Sequence, residues 1–221
     1  MNTALVQVLG AVAYGERKAY EGAKADAEAA SDEATRLRFR KVAAEELRHH
    51  KGFVSRLEAM GADPERAMRP YRVALDRYHG RAPGDEVSEA VFSYLGEGVA
   101  DDLLRWLRMV VDGDTAAFID TVIADEVEHE AGAAADLRAI LDATPGARAR
   151  AARAARQMVL HMLWSGRDRG APMAAFLRLG RPVELLGALA SGHARRMRAI
   201  GLGPLGLPVP VPFGAIEDVS A

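Results

Sequence analysis

Apolar residues recur along most of this chain at spacings of three and four, and no stretch alternates with period two. Leu5, Val8, Leu9, Val12, Ala13, Tyr20 and Ala23 begin the series. Strong helix formers dominate from residue 4 to about 60 and β-branched runs are scarce, so the pattern predicts an all-α protein. Glycine and proline punctuate it. A soft break falls at Ser31-Asp32, where Ser31 is expected to cap a new helix with Asp32 and Glu33 in its first turn. Gly61-Ala-Asp-Pro64 ends that second helix. Residues 64–84, with Pro70 and the closing Gly80-Arg-Ala-Pro-Gly84, read as a short helix and a crossover connection.

A third long helix follows from about Glu86 to Val111, a turn at Asp112-Gly-Asp114, and a fourth from about Thr115 to Asp142 that stops at Thr144-Pro-Gly146. Two further helical stretches, near 147–165 and 172–200 with a candidate break at Gly180-Arg-Pro182, complete residues 1–203. These are read as one domain: a four-helix bundle over 1–144 with an added helical pair over 145–203. Residues 204–221 hold too many prolines and glycines for a helix and are expected to be extended.

Chemistry enters with two Glu-x-x-His sequences, Glu46-Leu-Arg-His49 and Glu126-Val-Glu-His129. Positions i and i+3 of a helix lie about 60° apart, so each pair can offer a carboxylate and an imidazole to one metal. Alone, such a pair is an ordinary surface feature. The positions of two other glutamates change the picture, because Glu16 lies thirty residues before Glu46 and Glu97 twenty-nine before Glu126. In an antiparallel hairpin, residues equidistant from the turn share a height. The two midpoints fall at the Ser31-Asp32 break and just before the Asp112-Gly113 turn, which brings Glu16 level with Glu46 and Glu97 level with Glu126. The chain therefore carries one device twice: a Glu on the first helix of a hairpin and Glu-x-x-His on the second.

Four glutamates and two histidines on four inward helix faces are the donor set of di-iron and di-manganese carboxylate bundles. Apolar neighbours on the same faces (Ala13, Ala43, Phe53, Ile119, Val122) mean that the charges need partners, and two divalent cations would neutralise them. Glu16, Glu46, His49, Glu97, Glu126 and His129 are thus the candidate metal-binding and catalytic residues, for two iron ions or alternatively manganese. Asp101 is a candidate to orient a ligand histidine, and Tyr20 and Tyr94 lie a turn from Glu16 and Glu97. Glu45, Glu128 and Glu130 are expected on solvated faces. His50, His79, His161 and His193 lack matching spacing.

Composition narrows the chemistry further. The chain has no cysteine, which excludes thiolate-held clusters and leaves carboxylate and imidazole to hold any metal. The net charge of -2 hides a split: residues 1–144 hold 18 basic against 27 acidic residues, and residues 145–203 hold 11 arginines against 2 acids. Arg148, Arg150, Arg153 and Arg156, with Arg195, Arg196 and Arg198, form a candidate phosphate-binding face, although few aromatics accompany them for stacking bases. No membrane-length apolar run and no secretory start are present, so a cytoplasmic location is expected.

The stretches LGAVAYGERKAYEGAKADA, AAEELRHHKGFVSRLEAMGADPERAM, VFSYLGEGVADDLLRWL and ADEVEHEAG resemble the ferritin-like group related to the tRNA 2-methylthio-isopentenyl-adenosine hydroxylase, and the similarity runs over about residues 5–200. The resemblance implies a ferritin-like bundle, non-haem di-iron oxygenation on modified tRNA or a small molecule, and Glu46 and Glu126 as bridging carboxylates. With no flavin or nucleotide motif in the chain, an external ferredoxin or flavoprotein must supply electrons. Homo-oligomers fit the same reading. Iron handling by a ferroxidase or storage module, a manganese catalase and a catalytically inactive ferritin-like scaffold remain as alternatives.

Overall fold

The computed structural model describes residues 2–80, 84–165 and 172–203. Its helices are α1 (Thr3–Ala29), α2 (Glu33–Ala59), α3 (Pro64–Met68), α4 (Arg72–His79), α5 (Glu86–Arg108), α6 (Gly113–Ala143), α7 (Ala147–Ser165), α8 (Pro172–Leu179) and α9 (Pro182–Ala199), with a 3-10 turn at Arg69–Tyr71 between α3 and α4. The all-α expectation holds. The expected tail over 204–221 lies outside the described residues.

Side-chain caps fix where the long helices begin. Asn2 accepts from the backbone amides of Ala4 and Leu5, Asp85 from Val87 and Ser88, and Asp112 from Thr115. The α1–α2 turn is capped by Asp32, whose carboxylate accepts from Thr35 N at 2.9 Å, rather than by Ser31. A full negative charge also meets the positive helix end, which favours the carboxylate over the neighbouring hydroxyl. The observed turns, between Ala29 and Glu33 and between Arg108 and Gly113, sit at the midpoints computed from the ligand spacing.

Residues 172–200 form two helices. Gly180 (φ 116°) and Arg181 (φ 54°) both adopt left-handed backbone, and Pro182 starts α9 without an amide to donate. The C-terminal addition is therefore three helices among the described residues rather than a pair. The crossover is likewise two helices and a 3-10 turn, folded against α1 so closely that a Cβ at Gly10 would stand 2.5 Å from the Ala67 carbonyl oxygen.

Two hydrophobic cores result. One joins Val8, Leu9, Phe53, Leu57, Met68, Trp106, Ile119, Val122, Phe176 and Leu185. The other joins Val87, Val91, Tyr94, Leu95, Leu137 and Leu141 to Ala151, Ala155 and Met158 of α7 and Met197 of α9. Helix α9 reaches both, so the added helices share the bundle's interior. No helix among the described residues is long and apolar enough to cross a membrane.

Candidate metal centre

Between these cores lies a polar cluster. Glu16, Glu46, His49 and Glu126 each place one ligand atom within 4.8 Å of all the others. His49 Nδ1 is 3.6 Å from Glu16 Oε2, 3.6 Å from Glu46 Oε2 and 3.5 Å from Glu126 Oε1. His129 Nδ1 is 3.4 Å from Glu46 Oε1 and 3.6 Å from Glu126 Oε2. Glu46 and Glu126 thus each turn one oxygen to each imidazole.

The outer nitrogens are engaged crosswise. His49 Nε2 donates to Asp125 Oδ2 on α6 at 2.9 Å, and His129 Nε2 donates to Glu45 Oε2 on α2 at 3.0 Å. A carboxylate can only accept, so the proton sits on Nε2 and Nδ1 is left facing the cluster. Surface cations hold the carboxylates in turn: Arg48 lies 2.5 Å from Asp125 and Lys41 3.7 Å from Glu45. Glu45, expected on a solvated face, is instead nearly buried because its side chain spans the α2–α6 seam.

Asp101, expected to orient a histidine, is bonded by Arg105 at 2.9 Å. Glu130 is also not on an open face; its carboxylate lies 3.7 Å from buried Arg196 Nη1. Tyr94 donates to the Arg196 carbonyl at 3.3 Å, within the second core. His50 Nδ1 is 2.7 Å from the Ala13 carbonyl oxygen.

Two of the six fall outside the group of Glu16, Glu46, His49 and Glu126: His129 stays beside it through Glu46 and Glu126, and Glu97 stands apart. It lies outside the ligand-distance group, its residue is exposed, and its Oε1 accepts from Ser93 Oγ at 2.9 Å. The second core draws Val91, Tyr94 and Leu95 of α5 toward α7 and α9, which accounts for Glu97 standing back. Crowding by the surrounding helices nevertheless desolvates its carboxyl, and with Glu126 and Glu46 nearby it is pushed up to about 7. Its exposure decides the matter of access: water reaches Glu97.

The remaining electrostatics follow from three carboxylates, Glu16, Glu46 and Glu126, around two imidazoles. Burial raises the Glu16 carboxyl well above its ordinary value, with Glu46 and Glu126 adding to the effect. Burial would lower His49 and His129, but their carboxylate neighbours outweigh it and hold them at about 10 and about 11. The same contacts bring Glu46 down to about 2 against its own burial. Positive charge is being drawn into the cluster. Glu46 Oε2 and His49 Nδ1 are buried with no hydrogen-bond partner, and with only oxygen and nitrogen donors the residues fit a hard or borderline divalent cation.

The basic face is partly neutralised. Arg148 pairs with Asp142 at 2.7 Å and Arg150 with Asp85 at 3.5 Å. Arg195 lies 3.4 Å from Asp102, while Arg153 and Arg156 are exposed. Arg196 is fully buried against Asp102, so it cannot meet a phosphate. A Cβ at Gly98 would stand 2.2 Å from Arg196 Cδ, and one at Gly192 1.9 Å from Asp102 Oδ2; the ion pair fits only between two glycines.

No curated protein matches the chain. A family model described as a ferritin-like domain of actinomycetes matches residues 1–169, which covers the bundle and the start of the C-terminal helices without reaching the narrower tRNA-hydroxylase branch. With its helical architecture and metal-capable Glu/His cluster, the chain belongs to this ferritin-like family.

Proposed function

We propose that the chain is a non-haem di-iron oxygenase. The carrying observation is that Glu46 and Glu126 each present one oxygen to each imidazole, the disposition of two carboxylates shared by a pair of metals. Glu16, Glu46, His49, Glu126 and His129 would hold the ions, with Glu97 closing the set from the exposed side. Iron held by these residues would supply the O2-reducing chemistry of a C–H hydroxylation, in which one oxygen atom is inserted into the substrate and the other leaves as water with two protons from solvent and two electrons from an external ferredoxin or flavoprotein.

The chain's own residues determine how such a site behaves. Asp125 and Glu45 fix the imidazole tautomers, the core around Phe53 and Ile119 closes one end, and Glu97 marks a side from which solvent has access. Metal content and the optical spectrum of the purified protein, followed by anaerobic reduction and exposure to O2, test the proposal. Near two irons per chain with an O2-induced spectral change are expected, and Glu46→Ala should abolish both. Absence of metal in the unaltered chain, or zinc alone, overturns it. Repeated Fe(II) oxidation without any reductant would identify iron handling, and manganese would point to the alternative metal.

A further inference from the structure

The helix faces that carry Glu16 and Glu46 continue toward the α1–α2 turn through Tyr20 and Ala27 on one helix and Ala43 on the other. In a closed bundle these residues would enter a core. Here no residue between Tyr14 and Phe53 joins either hydrophobic cluster, because the facing half of α5 is committed to α7 and α9. A groove of about 570 Å³ opens instead between α1 and α2.

Its floor is apolar and its rim is basic. Ala27, Ala43 and Leu47 line the groove together with Tyr20, one helical turn from Glu16. Of the bordering cations, Arg36 is engaged by Glu33 and the Ala30 carbonyl. Lys24 and Arg40 take part in no ion pair among the described residues, and the one acid on the rim is Glu28. Lys24 is eight residues from Glu16 and Arg40 six from Glu46, which at the helical rise is roughly 12 and 9 Å along the axes. The volume falls in the range of small-molecule sites, which are apolar concavities with a few placed charges.

We propose that this groove binds a small aliphatic carboxylate, its carboxylate against Lys24 and Arg40 and its chain on Ala43 and Leu47, so that the chain runs past Tyr20 toward Glu16 and Glu46. Binding of the anion stands on the groove alone; its role as the compound oxidised rests on the oxygenase reading.

Calorimetric titration of the full-length protein with decanoate, in metal-free and metal-loaded form, separates the two. One decanoate per chain is expected in both forms, with decanol binding more weakly. Lys24→Gln and Arg40→Gln should each weaken decanoate about fivefold. Ala44→Trp, at an exposed position on the rim, should block it while leaving the fold intact. No decanoate binding, or binding indifferent to all three substitutions, overturns the proposal, as does a groove found covered by a second copy of the chain, seen as a dimer that Ala44→Trp dissociates. Metal loading without decanoate binding sinks this inference and spares the oxygenase; decanoate binding to a chain that takes up no metal does the reverse.

Discussion

In the first hairpin Glu16 is 8% exposed and lies against His49, whereas its counterpart Glu97 in the second is open to solvent and engaged by Ser93. The two hairpins carry the same residues at nearly the same spacing, so the difference comes from what backs them. α7 and α9 cover the second hairpin and pull the first half of α5 outward into their own core. The turn half of the first hairpin has no such cover, which keeps its glutamate in place and leaves a groove beside it. A repeated ligand set thus becomes one buried glutamate beside a groove and one exposed glutamate.

Substitution of the two glutamates is the sharpest way to break this comparison. Glu16→Gln is expected to weaken metal binding about 100-fold and Glu97→Gln by less than about tenfold, read by competition with a chelator, on the scale by which ligand-shell changes act. Equal losses would mean that the asymmetry disappears when metal is present. Next come the crosswise partners: Asp125→Asn and Glu45→Gln should each cost roughly tenfold in metal affinity. If each acts on its own histidine, the chemical shift of the His49 ring should respond to Asp125→Asn and that of His129 to Glu45→Gln. A response of both rings to either change would refute the pairing.

The pH dependence of the metal-free protein has a smaller expected effect. His49 and His129 are raised to about 10 and about 11, so the stability from their protonated forms is fully present below their unfolded value of about 6.5 and is lost as pH rises through the folded values. The Tm of metal-free protein should fall by roughly 5 °C between about pH 6 and about pH 10. Metal displaces these protons, so its affinity should rise over the same range. A metal-free Tm that climbs with pH would contradict the arrangement.

Much of this was legible in the residues. Glu-x-x-His in duplicate, with a glutamate mirrored across each turn, located the four long helices and the cluster, because helical period and hairpin symmetry are properties of spacing. Glu45 and Asp125 were missed, although both Glu-x-x-His sequences are preceded by an acid, and that repeated adjacency was the available signal. Their function depends on the α2–α6 seam, which spacing within one helix does not reveal. Arg196 was equally hidden among arginines that look alike. Only Gly98 and Gly192, the residues that make room for it and Asp102, marked it in the sequence.

That ion pair also bears on the order in which the chain can fold. Asp102 is 3% exposed, and Arg196, its partner, follows 94 residues later. A buried carboxylate without its cation costs about 3–5 kcal/mol, comparable with a large part of a domain's net stability. The turn half of the first hairpin closes through α1 against α2, whereas Phe176 and Leu185 of the C-terminal helices join the core at its other end. The second hairpin cannot bury Asp102 at low cost until α9 has been synthesised and docked. Pulse-labelling hydrogen exchange during refolding should therefore show the turn half of α1 and α2 protected before the second half of α5, and Arg196→Ala should delay protection of that half of α5 while leaving the turn half of α1 unchanged.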